Sequence, residues 1–228
     1  MNFLLINSNN ESSFVAAELG STILVKYTSE YLDKTEKSAY LKSPDKLAHC
    51  LKFITDEIIS SGTPLSGLDA VSVITGPGSF TGIRVGLALA KGYADSLGKK
   101  IIPIDNFELL LKRIKNKSDS GNYCLLIPAK EPEFYFSFYQ NNAEIERGCI
   151  KSDEILSKFD KNTILVGNFS DDYKEKLGYF SSLDYKSLNN ELDSMIKLTK
   201  EKCVSGNLFD SADIEPVYLK EFNFRKNN

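Results

Sequence analysis

The chain has 228 residues and a formal net charge of −3, with 42% hydrophobic and 26% charged residues. This composition is that of an ordinary globular protein with one large domain or two small ones that share a core. It lacks the basic surplus of proteins that bind nucleic acid by themselves. Because no run approaches the roughly 20 apolar residues of a membrane helix and the first residues do not resemble a signal peptide, we expect a cytoplasmic protein.

The cysteines and the histidine exclude several kinds of site. The four cysteines are far apart in the sequence and form no CxxC pair, which argues for reduced thiols and against a zinc ribbon or a disulfide framework. The single histidine, His49, cannot supply a two-histidine metal site. We therefore expect no metal centre.

The first half of the chain alternates apolar runs with capping and turn residues. Strands are predicted at residues 3–7, 13–19, 22–28, 71–75 and 100–104, and helices at residues 43–60, 79–97 and 106–115. The second and third strands are joined by a short turn that is typical of a β-hairpin. The order in this half is βββ-α-β-α-β-α.

The second half repeats this pattern. Strands are predicted at residues 123–129, 134–140, 144–150 and 163–167, and helices at 152–159 (capped by Ser152), 170–177 and 190–205. The βββαβα string read twice predicts an α/β protein with the duplicated actin-like, ribonuclease-H-like (ASKHA) fold. We expect a first subdomain over residues 1–105, a second over 106–211, and a tail, residues 212–228, that packs back on the body.

The most specific segment is the run GPGSFTG at residues 76–82, between a β-branched strand and a helix. Ser79 is a natural N-cap, and the amides of the helix start could contact an anion or a nucleotide together with Gly76, Gly78 and Arg84. Further along this helix, small residues recur four apart and leave one side nearly flat. They are Gly82, Gly86, Ala90 and Ala94. The sequence thus offers an anion loop or a helix-packing surface.

The loops that hold nucleotide in actin-like proteins are degenerate here. The turn after the first strand is Asn7-Ser8-Asn9-Asn10, which has no carboxylate to hold Mg²⁺. Its counterpart in the second half, residues 128–132, has two prolines and no glycine. The segment at residues 76–82 lacks the lysine of a Walker loop. We therefore expect no nucleotide to be bound by the chain alone.

The GPGSFTG segment and the helix after it resemble the signature of the TsaB (YeaZ) family. The similarity extends to the first strand, to the strands around this segment, and to residues 214–219. It implies a degenerate actin-like protein without catalytic residues. Such a protein is a subunit of the bacterial machinery that makes N6-threonylcarbamoyladenosine at position 37 of tRNAs decoding ANN codons. The implied partners are a TsaD-like catalytic subunit, a TsaE-like ATPase and a second copy of the chain. The resemblance also implies that the chain contacts tRNA only indirectly. ATP or ADP would be bound only at the interface of a complex.

The family also implies that the first long helix and the glycine-rich helix form a bundle with a partner. The expected interface residues are Phe80, Gly82, Ile83, Gly86, Leu87, Ala90, Leu47, Leu51 and Ile54. The chain departs from the family in its first turn, at the start of the first helix (residues 42–45), and near Ala129-Lys130. At the positions that correspond to the two metal-binding histidines of the catalytic relative, this chain has Asn106 and Leu110.

Two other functions stay open on the sequence alone. One is an enzyme acting by itself, either an actin-like phosphotransferase or a peptidase. The other is a self-associating binding protein without a role in tRNA modification.

Overall fold

The computed structural model describes residues 1–8, 13–31, 43–114, 121–141, 143–168, 181–184, 188 and 190–220. The chain divides into two units, each with its own five-stranded sheet. The first unit contains Met1–Leu109 and Glu191–Pro216, and the second contains Leu110–Asn190 and Val217–Asn228. The chain therefore leaves the first unit and returns to it.

The elements follow the order predicted from the sequence. The strands are β1 (Asn2–Asn7), β2 (Phe14–Leu19), β3 (Thr22–Tyr27), β4 (Ala70–Gly76), β5 (Lys100–Asp105), β6 (Asn122–Pro128), β7 (Glu133–Gln140), β8 (Ala143–Lys151), β9 (Thr163–Gly167) and β10 (Ser182–Asp184). The helices are α1 (Ser43–Ser60), α2 (Phe80–Leu97), α3 (Asn106–Arg113), α4 (Ile155–Lys158) and α5 (Glu191–Val204). None of the helices in the described part of the chain combines the length and the apolar character that crossing a bilayer requires.

The two sheets have the same topology. The first has the strand order β3-β2-β1-β4-β5, and the second has the order β8-β7-β6-β9-β10. In each sheet the first three strands of the unit pair antiparallel and the remaining two add in parallel. This repetition confirms the duplicated actin-like, ribonuclease-H-like fold that the sequence predicts.

Both faces of the first sheet are covered, because successive side chains of a strand point to opposite faces. Leu4 and Ile6 of β1 lie in the apolar cluster that contains α1 and α2. Phe3 and Leu5 lie in a second cluster, which contains the apolar side of α5. The central strands β1 and β4 are accordingly buried along nearly their whole length and are mostly apolar.

The core of the second unit is smaller and rich in aromatic residues. Phe136 and Phe159 meet edge to face, with ring centroids 5.7 Å apart, and Cys124 and Leu126 are buried beside them. Such aromatic pairs add to stability beyond the apolar area that they bury.

Some elements differ from the sequence-based expectation. The prediction of a helix over residues 152–159 capped by Ser152 is wrong: α4 is a single turn that begins after Glu154 and has no side-chain cap. Strand β10 was not predicted. The predicted helix at residues 170–177 lies outside the described residues.

The boundary between the units also differs from the expected one. Helix α5 was expected within the second subdomain, but Leu192, Met195 and Ile196 pack on the first sheet, which places the helix in the first unit. The tail divides after Pro216. Ile214 is buried in the core of the first unit, whereas Lys220 forms an ion pair with Glu133 of β7. Residues 221–228 lie outside the described part of the chain.

Candidate functional site

The turn between β4 and α2 is built by residues 76–79. Gly76 has φ +121°, a backbone conformation that favours glycine, and Pro77 follows it in the turn. The hydroxyl of Ser79 accepts a hydrogen bond from the backbone N–H of Gly82 at 3.2 Å, which confirms Ser79 as the N-cap. The buried side chain of Asn106 donates to the Pro77 carbonyl at 2.9 Å. The start of α3 thus holds the turn in place.

The four residues predicted to contact an anion differ in their availability. Gly76 is buried, Gly78 and Ser79 are half-buried, and Arg84 is exposed. The Arg84 guanidinium lies over the ring of Phe80, with its Cζ 3.7 Å from the ring centroid. These two residues are four apart on α2 and share one side of the helix, so a cation–π contact joins them. The anion contact itself stays a prediction.

The flat side of α2 faces its own chain. A Cβ added to Gly82 would lie 2.7 Å from the backbone oxygen of Ser8, at the end of β1. A Cβ added to Gly86 would lie 2.6 Å from the Oγ of Ser8 and 2.8 Å from its Cβ. These distances are shorter than real Cβ contacts. The two glycines therefore allow α2 to approach the first strand closely.

Most of the residues expected at a partner interface belong to the core of the first unit. Every one of them except Phe80 and Gly82 is buried: Ile83, Gly86, Leu87, Ala90, Leu47, Leu51 and Ile54. Because α1 and α2 turn this side to the sheet, these side chains are not available to a partner, which corrects the expectation. Gly82 is half-buried, and Phe80 is 42% exposed.

The other side of the helix pair is open and carries small or apolar residues, and we call it the outer α1–α2 surface. Its residues are exposed or half-buried: Ala48, Thr55 and Ile59 of α1, and Thr81, Val85, Ala88, Leu89, Gly92 and Tyr93 of α2. Ile59 is 57% exposed, and a Cβ added to Gly92 would meet nothing within 4 Å. The spacing of Thr81, Val85, Ala88 and Gly92 places them in one stripe along α2. That spacing was the signal in the sequence that could have identified this surface.

A hydrogen bond joins the two helices on this surface. The oxygens of Thr55 and Tyr93 are 2.9 Å apart, and Thr55 also donates to the carbonyl of Leu51 at 2.8 Å. Burial raises the pKa of Tyr93, and the hydrogen bond with Thr55 opposes this rise, so that the phenol stays protonated at neutral pH. Nearby on α1, Lys52 and Asp56 form an exposed ion pair and leave this part of the helix without net charge. On α2, the charged residues Arg84, Lys91 and Asp95 lie beside the stripe of small residues, so the surface is mixed in character.

The end of β1, where actin-like proteins hold nucleotide, carries amide and hydroxyl groups. Asn7 is fully buried, and its Nδ2 donates to Glu191 at the start of α5 at 3.0 Å. Ser8 points to the opposite face of the sheet, towards α2, and its buried Oγ has no hydrogen-bond partner among the residues that the structure describes. In the described ranges, no group of three or more His, Cys, Asp or Glu side chains is arranged to hold a metal ion.

Comparisons with known proteins agree with one another. The family model described as "TsaD: tRNA N6-adenosine threonylcarbamoyltransferase" matches residues 42–167. The tRNA threonylcarbamoyladenosine biosynthesis protein TsaB of Haemophilus influenzae is 28% identical over 184 residues, which cover 75% of this chain and 78% of that protein. TsaB of Escherichia coli is 25% identical over 182 residues, with the same coverage of both chains.

The likeness extends to a solved structure. The crystal structure of a Pseudomonas aeruginosa protein with similarity to the peptidase YeaZ has a TM-score of 0.68 and 19% identity to this chain. The structural match covers 96% of this chain and 99% of the Pseudomonas aeruginosa chain. At this identity the likeness concerns the fold alone.

Proposed function

The chain belongs to the family of the matched TsaD model and, within it, to the TsaB (YeaZ) relatives, and from this premise we propose that it is a non-catalytic subunit that activates a TsaD-like enzyme. It takes part in the biosynthesis of threonylcarbamoyladenosine in tRNA. The reaction of the complex is transfer of a threonylcarbamoyl group to N6 of adenosine 37 in tRNAs that read ANN codons. The chain contributes by binding the catalytic subunit.

The polar groups at the strand ends support a role without chemistry of its own. Asn7 stands at the end of β1, where a carboxylate would be needed to organise a metal, and its amide donates to Glu191. The positions that correspond to the metal-binding histidines of the catalytic relatives carry Asn106 and Leu110. Asn106 donates to a backbone carbonyl, and Leu110 is buried. Neither side chain can replace an imidazole ligand.

The observation that carries the proposal is the outer α1–α2 surface. It is a closely packable helix face whose Gly92 and Ala88 leave room for another helix, and charged residues such as Arg84 and Asp95 stand beside them. Exposed apolar surface rimmed by polar residues is typical of protein–protein contacts. The matched range, residues 42–167, includes both α1 and α2, so a TsaD-like protein carries counterparts of the two helices. We propose that the two helix pairs pack together.

The remaining partners follow from this arrangement. In our proposal a TsaE-like ATPase docks on the pair, tRNA is contacted through the complex, and ATP or ADP is held only at an interface between subunits. The complex acts in the cytoplasm. A second copy of this chain competes for the same surface when the catalytic subunit is absent.

The test is reconstitution of tRNA modification from the purified TsaD-like protein with and without this chain. Ala88→Arg places a long cation on the outer α1–α2 surface, and we expect it to weaken binding to the TsaD-like protein at least tenfold and to reduce modification in parallel. Ala143→Arg makes the same change at an exposed alanine of the second unit and is the matched control.

Three outcomes would contradict the proposal. Modification that proceeds equally well without the chain would rule out the activator role. Full binding by the Ala88→Arg variant would rule out this surface. Turnover of ATP or of a peptide by the isolated chain would favour an enzyme acting alone.

A further inference from the structure

Three connections of the polypeptide join the two units. The chain leaves the first unit after Leu109, returns to it at Glu191 and leaves again after Pro216. The first two connections belong to one face of the first sheet, because Leu109 and the first turn of α5 lie in the apolar cluster on that face. Ile214, just before the third connection, lies in the cluster on the opposite face. The third connection therefore starts on the other side of the sheet from the first two.

The tail is held firmly where it leaves the first unit. Phe209 and Ile101 of β5 exchange two backbone hydrogen bonds, at 2.8 and 3.0 Å. Ile214 follows after a short turn and is only 4% exposed. Releasing this part of the tail would break both hydrogen bonds and expose a buried apolar side chain. We therefore expect it to stay in place for as long as the first unit is folded.

The other end of the tail is held more weakly, at β7 of the second unit. The Nζ of Lys220 lies 2.5 Å from the carboxylate of Glu133. Burial raises the pKa of Tyr135 and of Cys149, and the positive charge of Lys220 opposes the rise in both cases, which places Lys220 beside these paired residues of β7 and β8. An ion pair at a protein surface is weak and is screened by salt. The contact is therefore one that opens and closes reversibly.

The segment between the two attachment points is short. Residues 214–220 contain no helix or strand, and even a fully extended chain of this length spans only about 20 Å. Two bodies whose connections all lie on one side can swing about those connections. A further connection on the opposite side stops the swing once its length is used up. The third connection has this position in the first unit.

We propose that residues 214–220 form a strap that limits the swing of the second unit about the first two connections, and that the strap is released when the ion pair between Lys220 and Glu133 breaks. The strap is a conformational device of this chain alone. The inference does not depend on the proposed function, because it uses only the course of the chain and contacts within each unit.

The test measures a distance between the units in the full chain. Spin labels are attached through a ketone-bearing amino acid at positions 153 and 197, which are exposed sites of the second and the first unit, so that the native cysteines remain. Double electron–electron resonance then gives the distribution of distances. Chymotrypsin cleavage after Tyr218, identified by mass spectrometry, reports separately on release of the strap.

Three variants are compared with the wild type. Lys220→Glu places two carboxylates against each other and should release the strap. Glu133→Lys combined with Lys220→Glu exchanges the two charges and should restore the pair. Lys158→Glu is the matched control, because it breaks the surface ion pair with Glu146 in the same unit but does not involve the tail.

We expect Lys220→Glu to be cleaved after Tyr218 about two- to fivefold faster than the wild type, the range that loss of a surface ion pair gives. Its distance distribution should broaden towards longer distances. About 1 M salt should broaden the distribution of the wild type in the same way and leave Lys220→Glu unchanged. The charge-exchanged variant and Lys158→Glu should both resemble the wild type.

Each other result overturns the inference. Faster cleavage with an unchanged distance distribution would mean that the strap does not restrain the units. Unchanged cleavage of Lys220→Glu would mean that the ion pair does not hold the tail. Equal broadening by Lys158→Glu, or failure of the charge-exchanged variant to restore the narrow distribution, would mean that the pair itself is not the cause. If Lys220→Glu does not fold, the salt dependence of the wild type decides, and a distribution that salt leaves unchanged refutes the strap.

Discussion

Three glycines of α2 should respond in opposite directions to the same substitution to alanine. At each position the change from glycine to alanine by itself adds about 0.8–1 kcal/mol to the free energy of unfolding, because alanine loses less backbone entropy in a helix than glycine does. A Cβ at Gly92 meets nothing within 4 Å, so Gly92→Ala should raise the free energy of unfolding by this full amount. At Gly82 and Gly86 the added Cβ would lie 2.6–2.7 Å from Ser8.

Overpacking of a closely packed site costs about 1–3 kcal/mol. The net change at Gly82 and Gly86 should therefore be a loss of about 0–2 kcal/mol. The loss should be larger for Gly82→Ala, because its obstacle is the Ser8 backbone oxygen, which cannot rotate away. At Gly86 the obstacle is the Ser8 side chain, whose Oγ makes no hydrogen bond within the described part of the chain and can therefore move at little cost.

A second substitution separates the two contacts. Ser8→Gly removes the atoms that oppose Gly86→Ala, so the double variant should recover most of the loss relative to Ser8→Gly alone. The same change should not rescue Gly82→Ala, because the carbonyl of residue 8 is still present. Urea unfolding followed by far-UV circular dichroism is a suitable measurement, since the chain has no tryptophan. If Gly82→Ala and Gly86→Ala are as stable as Gly92→Ala, the flat side of α2 does not require glycine for its own fold.

Three further predictions concern the cap, an ion pair and the thiols. Ser79→Ala should lower the free energy of unfolding by about 1 kcal/mol in the same urea assay, because it removes the N-cap of α2. The hydrogen bond from Lys26 holds the pKa of Glu30 below its ordinary value. The carboxylate therefore stabilises the fold above the pKa of the unfolded chain, and this stability is lost as pH falls through the folded pKa. The loss caused by Glu30→Gln, up to about 0.5 kcal/mol for an exposed pair, should shrink as the pH falls below the ordinary pKa of a glutamate and vanish once it lies below the lowered folded pKa. Burial raises the pKa of Cys50 to about 12 and raises that of Cys124 as well, so mass spectrometry should find both unalkylated by iodoacetamide at neutral pH until the chain is unfolded.

The order of the elements could be predicted from the sequence because it depends on local signals. Apolar runs, Gly76 to Ser79 and the small residues after them fix β4, the turn and α2 within a few residues. The repeat of this order was enough to give the fold. The single turn α4 was predicted too long, because a polar residue before an apolar run marks where a helix begins but not how far it extends.

The orientation of α2 could not be predicted in the same way. Two stripes of small residues run along the helix, one through Gly82 and Gly86 and one through Ala88 and Gly92. Either stripe could face the chain's own β1 or another protein, and only the position of Ser8 in space decides between them. The hydrogen bond between Thr55 and Tyr93 was equally inaccessible, since it joins residues that are 38 positions apart in the sequence.

The return of α5 to the first unit has a consequence for synthesis of the protein on the ribosome. Met1–Leu109 emerge early, but the helix that covers Phe3, Leu5 and Ile102 follows only after the roughly 80 residues of Leu110–Asn190. At about 5–20 residues per second this delay is on the order of 4–16 s. During that time one apolar face of the first sheet has no cover, so the nascent first unit cannot complete its fold. The synthesis of Glu191–Pro216, near the end of the chain, therefore sets the moment at which the N-terminal unit becomes stable.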